Sequence, residues 1–462
     1  MNTIYPAGVR IRALLLGTVL FLGGCAAGSM ETYRDRLPRG PESPEAVLTG
    51  GPGEAATPSM LPEEGSLQPE ELVRAVLGRN PDIATARAAW RAALEQYPSA
   101  VSLDDPSLSL AVAPASVGAP DLRLGTQLQL AQRLPWPGRL RLAGEQVLAR
   151  ADALEGDLEA VRQRLALAAL TLYYDWYALE RSLEINREHQ RLLEEIRESA
   201  AARYASGQAS PQDPLEARLE LAALRKEHTR LSRSRDVVRA GLTELLALSP
   251  GDPIPFPPSS LPPPSGRHTI ETGPVDSALQ RRPELIAAQD RVRAADLGVD
   301  LARLQYYPDV GIMAAYNSLM AMPEYRTLVG ISIQVPIQLE RRRAGERRAE
   351  SERTRAQRVH ESLELEIQRE VQQALLRRTE AGEVLEHYRS ELLPTAREQL
   401  EAARNGFTTG RNDFAPVIRA EKNLRTLELE YQMALAEVYR RGAELERAMG
   451  RIPGLAAQER QR

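Results

Sequence analysis

Cysteine occurs once in this chain, at Cys25, so no intramolecular disulfide is possible. With four Phe and three Trp in 462 residues, a large aromatic core is excluded. Lysine appears only at Lys226 and Lys422, which leaves arginine to carry nearly all the positive charge. The formal net charge of -4 favours neither nucleic acid nor an acidic substrate as partner. The histidines, His189, His228, His268, His360 and His387, lack ligand spacing and read as solvated helix or linker residues. No Walker motif, dinucleotide fingerprint or cluster of reactive groups is present, so neither a cofactor nor an enzymatic activity is expected.

The N-terminus carries Arg10 and Arg12, an apolar run from Ala13 to Leu22, then Gly23-Gly24-Cys25. That is the layout of a secretory signal, and the run is too short for a spanning helix. Small residues directly before a lone cysteine resemble a bacterial lipobox, which makes residues 1–24 a signal peptide and Cys25 the acylated first residue. The residue after it is Ala26 rather than Asp, which by the sorting pattern of such lipoproteins implies the outer membrane. Residues 25–65, rich in Pro, Gly and Glu, read as an extended tether.

A Pro-rich linker, 249–276, divides the remainder into two copies of one pattern, 66–248 and 277–450, and 451–462 form a polar tail. Each copy opens with a helical stretch that ends in Tyr-Pro, at Tyr97-Pro98 and Tyr307-Pro308. Segments that alternate with period two follow, at about 106–135 and 308–336, each offering two strands joined by a loop. Leu108, Leu110 and Val112 share one face, and Leu122, Leu124, Leu128 and Leu130 oppose Arg123, Gln127 and Gln129. In the second copy Val310, Ile312 and Tyr316 are followed by Val329, Ile331, Ile333 and Val335 against Ser332 and Gln334.

A helical period then runs for about 60 residues, roughly 90 Å at 1.5 Å per residue, with Leu154, Leu158, Val161, Leu165, Leu172, Trp176, Leu179 and Leu183 spaced like a coiled-coil seam. The first copy breaks at 203–214 and the second, which starts from Arg341, at 404–413. Tyr204-x-x-Gly207 followed by Ala217 matches Phe407-x-x-Gly410 followed by Ala420 at identical spacing.

Strands of about ten residues with one apolar face suit a transmembrane β-barrel. Four strands cannot close one, and open edges in lipid cost several kcal/mol per unsatisfied group, so other copies must complete the ring. Two copies would give about eight strands with a filled interior; three give about twelve, which suits an open tube.

The duplicated plan, the lipobox, "LPWPGRLRLAGE", "VGISIQVPI" and the two Gly-x9-Ala breaks resemble the TolC family of outer-membrane efflux proteins. The Pro-x-Pro-Gly-basic junction and "YNSLMAMPEY" are most similar to its lipoprotein heavy-metal-efflux branch. The resemblance implies a mainly α fold with a small transmembrane β part, assembled as a homotrimer whose twelve-strand barrel continues as an α-helical barrel. It implies a passive, gated exit duct in outer-membrane lipid, working with a periplasmic adaptor and an inner-membrane pump, with no nucleic acid. A duct for drugs or for type I protein secretion is the alternative within the family, and a pore-less coiled-coil scaffold on a lipid anchor the alternative outside it.

The same resemblance makes the breaks at 203–217 and 404–420 the periplasmic tip, with Tyr204, Gly207, Ala217, Phe407, Gly410 and Ala420 at the adaptor contact. Asp213 fits the gating carboxylate, and Glu216, Arg411 and Arg419 are the other gate candidates, with Asp213 expected to pair with Arg411 or Arg419. Phe407 stands where relatives have Tyr, and Pro416 and Arg419 occupy positions where relatives have a carboxylate ring. Met313 falls on the polar parity of its strand, and Met320 and Met322 lie in the adjoining loop, where thioethers suit transient contact with a soft ion; no resident metal is expected. Pro135, Trp136, Pro137 and Gly138, echoed by Pro336, mark the membrane-interface junction: prolines end the strand ladder, glycine turns the chain, and Trp136 suits the interface with Arg139 and Arg141 at lipid headgroups.

Overall fold

The computed structural model describes residues 65–113, 125–207, 209–262, 273–320, 322–409 and 411–455. The signal peptide, Cys25, most of the tether, Leu122, Leu124, His268 and Gly410 lie outside them. The first copy contains α1 (Pro69–Arg79), α2 (Pro81–Leu94), α3 (Gln96–Val101), β1 (Ser107–Val112), β2 (Thr126–Leu134), α4 (Arg139–Ala205) and α5 (Gln212–Leu245). The second contains α6 (Pro274–Arg281), α7 (Pro283–Leu304), β3 (Asp309–Asn317), β4 (Thr327–Gln334), α8 (Leu339–His387), a π turn (Tyr388–Leu392), α9 (Leu393–Thr408) and α10 (Ala415–Ala448).

The short helices α1 and α6 were not separated in the sequence, yet one local rule ends both. Asn80 and Arg282 each precede a proline, whose ring disfavours the helical region for its predecessor, and both adopt extended dihedrals (ψ 128° and 117°). At the start of α1, Glu71 accepts from the Gln68 backbone N–H at 2.9 Å, the reciprocal half of a capping box.

The helix of the second copy begins at Leu339, within two residues of the expected start near Arg341, and is not continuous. Its π turn directly precedes Pro394, which lacks the N–H that Ser390 would receive and whose ring would crowd that carbonyl; a widened turn relieves both. The two breaks are tighter than the sequence suggested, spanning 206–211 and 409–414, because Arg203 to Ala205 and Arg404 to Thr408 remain helical.

The chain separates into two compact units, one holding Ala86–Asp157 and Ile286–Ser362 and the other Leu158–Leu285 and Leu363–Arg462 with the residues before Ala86 that pack there. The first contains the sheet and a small core of Ala93, Leu94, Tyr97, Leu148 and Ala151. The second is helical; Leu158, Leu165, Trp176 and Leu183 are buried, so the coiled-coil spacing is used as core. Among the described residues, no helix is long and apolar enough to cross a membrane.

Candidate functional site

The four strands form one antiparallel sheet in the order β1-β2-β3-β4, with the two copies joined along β2·β3. Register decides which side chains share a face: Leu108 lies opposite Leu130, Leu128 opposite Tyr316, Ile312 opposite Ile331, and Val310 opposite Ile333. One face is therefore mainly apolar across all four strands, with Gln132 as the polar residue inside it and Thr126 and Thr327 at its rim. The other carries Ser109, Gln129, Arg133, Asp309, Gly311, Met313, Ser332 and Gln334, with Leu328 as its one large aliphatic residue. The aliphatic face is uncovered: Val329 and Ile331 are each 72% exposed, which for a water-facing sheet would be a large unsatisfied patch.

At one end of the sheet Asp309, the first residue of β3, is buried and gathers three partners from the junction after β2. Arg133 pairs with it through two nitrogens, Arg139 at the start of α4 reaches both carboxylate oxygens at 3.3 Å, and the Trp136 N–H donates at 3.3 Å. The Trp136 ring stacks on Tyr307 with centroids 4.8 Å apart. Gly138 has φ +88° with nothing near a prospective Cβ, so its role is backbone freedom alone. The turn and both prolines stand as expected; Arg139 is engaged by Asp309, while Arg141 makes an exposed i,i+4 pair with Glu145. Sequence reasoning missed Asp309, which lies one residue after the Tyr-Pro it did notice.

The two helical breaks meet in one hydrophobic cluster that includes Leu193, Ala200, Ala217, Leu221, Leu400, Phe407, Phe414, Val417 and Ala420. Gly207 takes φ +72° just after α4 and turns the chain into the first break, as expected. Phe407 packs edge-on against Phe414 at 5.3 Å, with the Arg203 guanidinium 4.5 Å above its ring and bonded to its carbonyl. Ala217, Phe407 and Ala420 are buried within the chain, whereas Tyr204 is exposed. The expected pairing of Asp213 with Arg411 or Arg419 is not made within one chain, and none of these, nor Glu216, has an ion pair among the described residues. Backbone hydrogen bonds from Arg411 and Asn412 to the Gly406 carbonyl hold the second turn instead, at 2.8 and 3.1 Å.

A family model described as "Outer membrane efflux protein" matches residues 72–248 and 275–451, one copy of the pattern each. The chain belongs to the outer membrane efflux protein family. The cobalt-zinc-cadmium resistance protein CzcC of Cupriavidus metallidurans is 25% identical over 263 residues, 55% of this chain and 60% of that relative's length. The solved structure of CusC is similar with a TM-score of 0.71 at 18% identity, covering 83% of this chain and 92% of CusC. The Vibrio cholerae outer membrane protein VceC is similar with a TM-score of 0.70 at 19% identity, covering 83% and 96%. The open-state MtrE channel of Neisseria gonorrhoeae gives 0.69 at 17%, covering 83% and 89%. These likenesses establish the fold.

In this efflux protein one histidine contradicts the solvated reading. His189 on α4 is buried, with Nδ1 2.9 Å from Glu421 and Nε2 2.9 Å from Glu428, both on α10. Arg425 bridges Glu421 and Glu220 of α5, and Arg397 of α9 reaches Glu428 at 3.3 Å. Burial alone would lower the His189 pKa; two carboxylates outweigh it and raise it to about 9, so the ring is a cation at neutral pH. The signal was legible in part: Glu421 and Glu428 are a heptad apart, on the same helix face.

Among the described residues no group of three or more His, Cys, Asp or Glu is arranged for a metal. Met313 lies on the polar face as expected, its sulfur accepting from Gln129 at 3.7 Å, while Met320 and Met322 are exposed in the β3–β4 loop.

Proposed function

We propose that this efflux protein is the outer-membrane exit duct of a tripartite system, passive in itself, working with a periplasmic adaptor and an inner-membrane pump. One observation carries the reading: a sheet mainly apolar across one face, polar across the other, and open at both edges. Lipid satisfies the first face and water the second, but nothing in lipid satisfies the unpaired N–H and C=O groups of β1 and β4. Further copies do, and three give about twelve strands around a water-filled lumen lined by the Ser109, Gln129, Met313 and Ser332 face. The helical tip formed by the two breaks is the adaptor-facing end, where Asp213 and Glu216 find Arg411 and Arg419 across copies. Cys25 carries the lipid anchor.

The cargo is a heavy-metal ion, a reading supported by the likeness to CzcC. Deleting the gene and scoring sensitivity to cobalt, zinc, cadmium and copper against a panel of drugs tests the cargo. Sensitivity to drugs alone refutes it. The duct itself is tested by trimer migration that changes on heating and by single-channel currents in planar bilayers; a monomer without current refutes it.

A further inference from the structure

The duplication that built this chain also specifies how two copies meet. Along β2·β3 the last ladder pair before the proline is Leu134 opposite Val310. Pro135 follows the first of these, and the Pro308-Asp309 pair precedes the second. The two outer strands carry the same punctuation: Val335-Pro336 directly follows β4 as Leu134-Pro135 closes β2, and Pro106-Ser107-Leu108 opens β1 as Pro308-Asp309-Val310 opens β3. We infer that β4 of one copy pairs with β1 of the next in this same register, Val335 opposite Leu108, Ser109 opposite Gln334, Leu110 opposite Ile333, Ala111 opposite Ser332 and Val112 opposite Ile331. This inference rests on the ring proposed above and adds its register.

Three features fit, the first two sharing the period-two alternation of a strand. The first is backbone polarity. The Ala113 N–H donates to Gly125 and the Asn317 N–H to Arg326, both at 2.8 Å, which assigns the odd residues of β1 to β2 and the even residues of β4 to β3. Leu108, Leu110 and Val112 therefore turn their backbone groups outward on one edge, and Ile331, Ile333 and Val335 on the other. The register bonds each outward residue of β1 to one of β4.

The second is face parity. Every bonded pair is aliphatic on aliphatic, and both unbonded pairs bring together polar or small residues on the lumen side. A one-residue slip would put Leu110 opposite Ser332 or Gln334 and is excluded.

The third is proline placement together with tilt. At ~3.3 Å per residue and ~4.8 Å per strand, closing three sheets in this register tilts the strands by about 46°, near the ~35–45° of outer-membrane barrels. A two-residue slip gives about 35° or about 54°. The shallower alternative sets Val335, whose backbone groups face the seam, opposite Pro106, which has no N–H to give. The steeper one pushes Leu108 beyond Pro336 to Ile337.

The register has a mechanical consequence. The corner held within a chain by Arg133 and Asp309 is occupied at the copy-to-copy seam by Gln334 and Ser107, which carry no charge. The copy-to-copy line therefore lacks the ionic staple that closes β2·β3.

Cysteine pairs in the full-length protein, purified from outer membranes, test this. Ser109 and Gln334 form an unbonded pair at the seam, where Cα atoms approach to about 4.5 Å, well suited to a disulfide. Within one chain β1 and β4 are three strand spacings apart, about 14 Å, too far for the bond to close. The double variant Ser109→Cys with Gln334→Cys is expected to oxidise to covalent trimers on non-reducing denaturing gels. It should do so at least about tenfold faster than Ser109→Cys with Ser332→Cys, whose diagonal geometry is beyond disulfide reach. Each single variant controls for Cys25.

Faster linking of the Ser332 pair overturns the register while leaving the ring intact. No linking in either variant, with a trimer still present by heat-modifiable migration, overturns the register as well. No linking together with a monomer that carries no current overturns both the register and the ring.

Discussion

Raising the pH from 6 to 9.5 should loosen the helical unit through one residue. His189 holds a proton between Glu421 and Glu428, and its pKa stands at about 9 against an ordinary 6.5. A raised pKa contributes stability that is complete below the ordinary value and fades as pH climbs through the raised one. At ~1.4 kcal/mol per pKa unit, the contribution is about 3 kcal/mol per chain at pH 6, and most of it is gone by pH 9.5. Glu428 has the opposite sign: burial opposes its charge, but His189 and Arg397 hold its pKa below the ordinary value, so its share is lost as the medium is acidified.

The assay is denaturant unfolding of the helical signal in detergent, at fixed protein concentration, for the wild type and His189→Gln. Gln removes the His189 charge from both carboxylates at every pH, as deprotonation does in the wild type, while Arg425 and Arg397 remain. The variant should fall short of the wild type by about 3 kcal/mol at pH 6, and the two should converge at pH 9.5. A gap that stays constant over this range refutes a charged His189.

Ile331→Arg, on the aliphatic face, should cost about 2–4 kcal/mol per copy near mid-bilayer and reduce outer-membrane yield, whereas Ser332→Arg one position on should assemble normally; equal yields count against the face assignment. Gly138→Ala places a Cβ at φ +88° with no clash, so a loss of about 1 kcal/mol in unfolding free energy is expected, with most of it restored in Gly138→Asn. Phe407→Ala removes the ring between Arg203 and Phe414, and a local loss of about 3–5 kcal/mol should appear as faster hydrogen exchange in α9 and the start of α10, leaving the sheet unchanged. Asp213→Ala should raise single-channel conductance if its carboxylate holds the tip closed across copies; an unchanged conductance removes it from the gate.

Local rules made much of this fold legible. Alternation marked all four strands, and the Pro-Trp-Pro-Gly run marked the junction, because period and proline act over a few residues. What escaped depends on residues far apart in the chain. Asp309 looks like an ordinary residue after Tyr-Pro until β2·β3 pairing brings Arg133 and Arg139 to it. His189 looks solvated until α10 supplies two carboxylates more than 200 residues later, and Phe407 looks like a tip surface until Phe414 folds back on it. The π turn before Pro394 and the breaks before Pro81 and Pro283 were local features passed over, since an otherwise continuous helical period masked the prolines.

The central claim is that copies of this chain form a water-filled passage through the outer membrane, and planar-bilayer recording of the purified native protein tests it most directly. Discrete, repeated current steps from trimer fractions, abolished in Ile331→Arg and retained in Ser332→Arg, are the predicted result. Trimers or monomers with native helical content that never yield such steps, under conditions in which a known porin inserts readily, would contradict it.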